Sequence, residues 1–139
     1  MTVLADSSFI FALFNARDPY SREARAFAAA NHDIMVVPDI VLPELGYLFR
    51  RDFGYAGVQV LLERINAYEV PFERLTRSDL ARMLEIATSY SSAEFDIVDC
   101  CIMAIAERLD INRIATFDRR DFSIFHPAHC KFFELLPSV

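Results

Sequence analysis

The chain has 139 residues, of which 54% are hydrophobic, so it holds enough material for one domain with a sizeable buried core. Its net charge of −6 excludes indiscriminate nucleic-acid binding through a basic surface. No apolar run approaches the roughly 20 residues needed to span a bilayer, and the N-terminus lacks the basic start and cleavage site of a signal peptide. The expectation is one cytoplasmic domain over residues 1–139. Cys100 and Cys101 are adjacent in a helical pattern and the cysteine count is odd, so the thiols read as core packing and not as a disulfide framework.

The elements alternate between strand and helix. Thr2-Val3-Leu4-Ala5 reads as a strand closed by Asp6, and Ser7 or Ser8 can cap the helix carrying Phe9, Ile10, Leu13 and Phe14. Asp18-Pro19 breaks the chain and starts an alanine-rich helix over about Ser21 to Ala30. Ile34-Met35-Val36-Val37 has no polar alternation, which predicts a strand buried on both faces. The next helix tolerates Pro43 in its first turn, places Glu44, Tyr47, Leu48 and Arg51 on one face, and stops at Gly54. Val58, Leu61, Leu62 and Ile65 recur at helical spacing, and Val70-Pro71-Phe72 is an edge-strand candidate because proline cannot donate to a central ladder. Thr76 or Ser78 caps a helix through Leu80, Met83, Leu84 and Ala87, and Ser89 to Glu94 reads as a loop. A helix over about Ile97 to Leu109 follows. Arg113 to Phe117 then reads as a strand closed by Asp118, and a last strand is expected near Phe132 to Leu135. The pattern is α/β, with right-handed crossovers between parallel strands.

Four acids, Asp6, Glu44, Asp99 and Asp118, each stand where an apolar run ends or a helix begins. Each has an ordinary explanation alone. Asp96 and Asp99 have the spacing of an N-cap and an N3 acid, Glu44 sits on a surface-compatible helix face, and Asp118 and Asp121 suit turns. Asp6 is different, because a carboxylate against a buried strand is costly unless hydrogen-bonded, paired or bound to metal. Two parallel strands ending in Asp6 and Asp118 would deliver carboxylates to one crevice, where open α/β sheets bind ligands. An all-oxygen donor set selects a hard cation, Mg²⁺ or Mn²⁺, over zinc. His126 and His129 stand beside Cys130 but lack a fourth ligand, and the two histidines read as solvated loop residues. The three glycines form no phosphate loop.

Val3-Leu4-Ala5-Asp6-Ser7-Ser8, Val41-Leu42-Pro43-Glu44-Leu45, Ile97-Val98-Asp99 ahead of an alanine-containing helix, and Ile114-Ala115-Thr116-Phe117-Asp118-Arg119-Arg120-Asp121-Phe122 come in that order. Together they resemble the PIN-domain ribonucleases, and within them the VapC-type toxins of toxin–antitoxin pairs, over nearly the whole chain. The resemblance implies a three-layer α/β/α sandwich around a central, mainly parallel sheet of about four to five strands. It implies an acidic quartet of Asp6, Glu44, Asp99 and Asp118, with Ser8 and Thr116 as polar helpers and Asp96 and Asp121 as accessory acids. It also implies RNA cleavage to 5′-phosphate and 3′-hydroxyl ends, dimerisation, and silencing by a VapB-like antitoxin lying across the groove. The chain departs from the family in carrying Cys100 and Cys101 where many relatives have small residues such as alanine, and Pro43 directly before Glu44.

In chemical terms, Asp6, Asp99 and Asp118 would hold the cation directly or through water. Glu44 would bind a second ion or position the attacking water that displaces the ribose 3′ oxygen. Thirteen of the 14 basic residues are arginine, whose planar fork suits phosphate, and Arg50, Arg51 and Arg119 near the acids are the candidates for RNA contact. Tyr47, Phe49 and Phe53 offer an aromatic contact surface. Two rivals stand beside the nuclease. A phosphatase-like site of the haloacid-dehalogenase or response-regulator kind needs an acid pair and a downstream lysine, whereas position 8 is serine and Lys131 is poorly placed. The other rival is a non-catalytic PIN-like binding module.

Overall fold

The computed structural model describes residues 1–138. Its frame is a five-stranded, all-parallel sheet in the order β3-β2-β1-β4-β5, formed by β1 (Thr2–Ala5), β2 (Ile34–Pro38), β3 (Phe72–Glu73), β4 (Arg113–Ala115) and β5 (Glu134–Leu136). The central strand is set in register on both sides, with Leu4 opposite Val36 of β2 and opposite Ile114 of β4. Val3, Leu4, Ala5, Ile114 and Ala115 are fully buried, as uninterrupted apolar runs in a covered parallel sheet should be.

Among the described residues, seven helices cover the sheet: α1 (Ser7–Phe14), α2 (Ser21–Ala30), α3 (Val41–Phe53), α4 (Tyr55–Ala67), α5 (Arg77–Ser89), α6 (Ile97–Leu109) and α7 (Arg120–Ile124). From β1 the chain moves outward to β2 and β3, then returns to β4. Right-handed crossovers therefore place α1 to α4 on one face and α5 and α6 on the other, giving the three-layer sandwich. The helices pack in pairs, α1 on α2, α3 on α4 and α5 on α6. Where α4 crosses α3 the approach is close enough to require glycine, since a Cβ on Gly57 would stand 2.4 Å from the Phe49 carbonyl oxygen. Gly54, at φ 70°, ends α3 and opens α4 in the left-handed region that glycine adopts without penalty.

Pro43 leaves α3 unbroken because its missing N–H falls in the first turn, where no intrahelical partner exists. Several features differ from the sequence reading. Ile34 of β2 is 63% exposed, so that strand is not buried on both faces at its start, and β4 ends at Ala115 instead of Phe117. The edge strand is Phe72–Glu73, since Pro71 contributes only its carbonyl, to the Val37 N–H at 2.9 Å. The last strand begins at Glu134, leaving Phe132 exposed. The connection after β4 contains α7, and the stretch expected as a loop at Ser89 to Glu94 carries a 3₁₀ turn over Ser91–Ala93.

Candidate active site

Strand order reverses between β1 and β4, because β1 leads outward to β2 while β4 leads to β5 on the opposite side. The carboxyl ends of these two strands make the topological switch point, where open α/β sheets hold their ligands. Asp6 follows β1 directly, and its backbone N–H donates to the Ala115 carbonyl of β4 at 3.1 Å. The helix cap expected from Ser7 or Ser8 is made by Asp6 itself, whose Oδ1 accepts from the Phe9 N–H at 3.0 Å. A carboxylate has two oxygens and four lone pairs, so it can cap the helix and still face the crevice.

Ser8 and Thr116 lock that carboxylate in place. Ser8 Oγ donates to Asp6 Oδ1 at 2.7 Å and accepts from the Phe117 N–H at 2.9 Å. The Thr116 hydroxyl donates to Asp6 Oδ2 and accepts from the Asp118 N–H at 3.0 Å. Two hydroxyls thus tie the end of β1 to the turn after β4, and they set Asp6 and Asp118 side by side.

The resulting cleft, about 650 Å³, is lined by Asp6, Glu44, Asp99 and Asp118 together with Ser8, Asp96 and Asp121. Asp118 is exposed, while Glu44 and Asp99 are half-buried. Asp99 stands in the first turn of α6, beside Asp121 in the first turn of α7. Asp121 Oδ2 accepts from the Asp96 N–H at 3.1 Å, and Asp96 caps α6 through the Val98 N–H at 2.7 Å. Asp121 therefore fixes the start of the helix that carries Asp99.

Crowding of negative charge shows in the proton affinities. Burial pushes the Asp6 carboxyl up to about 6, against hydrogen bonds from Thr116, Ser8 and Phe9 that lower it, and the neighbouring Asp118 charge adds to the rise. Asp99 is pushed up to about 9, first by burial, then by its contact with Asp121 and the charges of Asp6, Asp121 and Asp96. Seven carboxylates line the cleft, counting Asp18, against two guanidiniums, Arg51 and Arg120. An all-carboxylate donor set with this surplus of charge fits a hard divalent cation. Among the described residues, no three potential ligands are already gathered around one point. Asp6, Asp96 and Asp121 are instead drawn to donors of their own.

Of the arginines expected to face RNA, the structure brings only Arg51 to the cleft, where it pairs with Asp52 at 2.7 Å. Arg50 lies over the Tyr55 ring, 5.7 Å from its centroid. Arg119 turns inward, donating to the Thr116 carbonyl at 2.9 Å and the Pro137 carbonyl at 2.6 Å. Arg120, which was not among those candidates, lines the cleft and pairs with Asp121 at 2.7 Å. Tyr47 is exposed, but Phe49 is buried in the core and cannot join a contact surface. His129 is half-buried, with Nε2 2.8 Å from the Ile111 carbonyl, and is not a solvated loop residue. Asp18 and Tyr20, which the sequence marked only as a chain break and its neighbour, also line the cleft. The one local signal for them was an Asp-Pro turn ahead of a helix.

The model of the PIN domain matches residues 3–125. The chain belongs to the PIN-domain family. It is 24% identical to Ribonuclease VapC26 of Mycobacterium tuberculosis over 135 residues, covering 97% of this chain and 100% of that protein. The crystal structure of VapC20 from the same organism, described as a sarcin-ricin loop cleaving toxin, superposes with a TM-score of 0.77 at 22% identity, over 85% of this chain and 91% of that one. VapBC2 of Rickettsia felis, bound to a promoter DNA fragment, gives a TM-score of 0.71 at 13% identity over 99% of this chain and 100% of that chain. At these identities the superpositions speak for the fold. Among the described residues, no helix of this PIN domain is long and apolar enough to cross a membrane.

Proposed function

We propose that this PIN domain is a metal-dependent endoribonuclease, the toxin of a toxin–antitoxin pair. The observation that carries the reading is the meeting of Asp6, Glu44, Asp99 and Asp118 in one cleft at the switch point of the sheet, with Asp6 and Asp99 held well above the ordinary carboxylate range. The similarity to a protein named as a ribonuclease supports it.

Asp6, Asp99 and Asp118 would hold Mg²⁺ or Mn²⁺. A cation bound there supplies neutralisation of the scissile phosphate and Lewis-acid assistance to hydrolysis. Ser8 and Thr116 keep Asp6 oriented, so little reorganisation is needed at this carboxylate when substrate arrives. Asp121 anchors the α6 start that presents Asp99. Glu44, in the first turn of α3, positions the attacking water and accepts its proton.

Several solved neighbours are toxin–antitoxin complexes, which supports an antitoxin partner here.

The test is purified, partner-free protein incubated with structured RNAs and Mg²⁺ or Mn²⁺, beside EDTA and Asp6→Asn controls. Cleavage that requires the cation and Asp6 is expected. Cleavage that survives EDTA or the substitution would refute the reading.

A further inference from the structure

If this cleft cuts RNA, its own side chains offer the anionic backbone little attraction. Arg51 and Arg120 are each paired with a carboxylate, and Arg119 is bound to backbone carbonyls. Some other force must hold the substrate beside the carboxylates.

An aromatic column reaches the cleft from the core. Phe9 is fully buried and braced edge-on by Phe27, with ring centroids 5.7 Å apart at 86°. Phe117 lies nearly parallel to Phe9 at 5.9 Å and 14°, and Tyr20 lies on Phe117 at 4.4 Å and 10°. Tyr20 ends the column and is 46% exposed. The turn that carries it is pinned: the Tyr20 N–H donates to Asp18 Oδ1 at 2.8 Å, and the Ser21 N–H donates to the Asp18 carbonyl at 3.0 Å. Phe117 in turn precedes Asp118 and donates its N–H to Ser8, which bonds Asp6. The exposed ring is therefore rigidly referenced to the reacting end of the cleft. Tyr47, 65% exposed, also lines the cleft and stands one helical turn from Glu44.

Exposed aromatics that are already immobilised lose little entropy on binding, and every base has a face to stack on them. From this arrangement we infer that Tyr20, backed by Phe117, is the platform on which an unpaired RNA base stacks next to the carboxylates. The cleft then selects single-stranded or looped RNA over continuous duplex, because a paired base cannot reach the ring. This inference rests on the nuclease reading for its substrate, but its measurement does not depend on cleavage.

The probe is a single-stranded RNA carrying 2-aminopurine, whose fluorescence is quenched by stacking, titrated with wild type, Tyr20→Ala and Tyr20→Phe in Mg²⁺. Loss of one stacked base, about 1–3 kcal/mol, weakens binding roughly 5- to 150-fold. Quenching by wild type and Tyr20→Phe, with weaker binding and no quenching by Tyr20→Ala, is the expected result. Where RNA is cut, the loss is expected in KM with kcat within about twofold, since a platform used equally before and in the transition state contributes uniform binding. Equal quenching by wild type and Tyr20→Ala, or none by either, overturns the inference. Unchanged RNA binding with altered self-association of Tyr20→Ala in light scattering assigns the ring to a protein interface and also overturns it. Cleavage of the same RNA by wild type reports separately on the nuclease reading.

Discussion

Replacing Asp6 by asparagine should abolish cleavage and yet make the cation-free protein relatively more stable as pH rises. Asp6 is 3% exposed, and burial moves its carboxyl from 3.8 to about 6 in the folded state. A folded-state value above the unfolded one means that the native state binds the proton more tightly. Its stabilising contribution is complete below about 3.8, declines as pH rises towards 6, and is absent above that. The displacement corresponds to about 3 kcal/mol by the usual conversion, and about 2–3 kcal/mol of it falls between pH 4 and 7.5. Asparagine has no such titration. It still offers Oδ1 to the Phe9 N–H, and whatever it loses at Thr116 or Ser8 does not vary with pH over this range. The change in the stability difference with pH therefore isolates the ionisation of residue 6. Removing the charge also relieves Asp99, on which Asp6 acts, in the same direction. For a domain of this size, melting in EDTA should show the Tm of Asp6→Asn rising relative to wild type by roughly 6–12 °C over that interval. A Tm difference that stays flat, or that moves the other way, would refute the claim that this buried carboxyl is held against its preferred protonated state.

Glu44→Gln should reduce cleavage by at least about 10²-fold, the scale of a lost general base, while shifting stability by less than about 1 kcal/mol, because it removes only a favourable first-turn charge from α3. RNA cleavage and a melting curve on the same preparation check both halves. Asp79 is 2% exposed, forms a capping box with Thr76, and is held by Arg108 at 2.9 Å. Burial alone would raise its carboxyl, but the Arg108 and Thr76 hydrogen bonds outweigh this and hold it below the ordinary value, so its contribution is present at neutral pH and is lost in acid. Asp79→Ala should cost about 3–4 kcal/mol in urea unfolding at pH 7, and less near pH 3. Gly57→Ala should destabilise by about 1–3 kcal/mol despite alanine's better helix propensity, since its Cβ would meet Phe49 O at 2.4 Å and Phe53 Cβ at 2.8 Å.

What the sequence made legible was punctuation and period. Asp-Pro at 18–19, Gly54, the Thr76 cap and the Asp96 cap mark breaks that local chemistry alone decides, and α2, α3 and α6 begin or end beside them. The convergence of Asp6 and Asp118 was also legible, because two strands that each lead into an acid, directly after β1 and through a two-residue turn after β4, become neighbours once the sheet is parallel. Short elements were not. The five residues of α7 have no room for a helical period, and β3 is two residues beside a proline. Side-chain direction was hidden as well. Arg119 and Arg120 look equivalent in sequence, yet one reaches into the Thr116 and Pro137 carbonyls and the other flanks the cleft. Phe49 and Tyr47 differ in the same way by two positions on one helix, which decides which of them is core. Tyr20 reaches the site only through its stack on Phe117, a contact across about 97 positions that no local pattern encodes.

If the separated carboxylates form one cation site, crystals soaked in Mn²⁺ will reveal it by anomalous scattering. An Mn²⁺ peak is expected in the cleft, coordinated by Asp6, Asp99 or Asp118 oxygens directly or through water, and it should disappear in Asp99→Asn. Binding of Mn²⁺ only outside this cleft, or a peak unchanged by that substitution, would contradict a shared site.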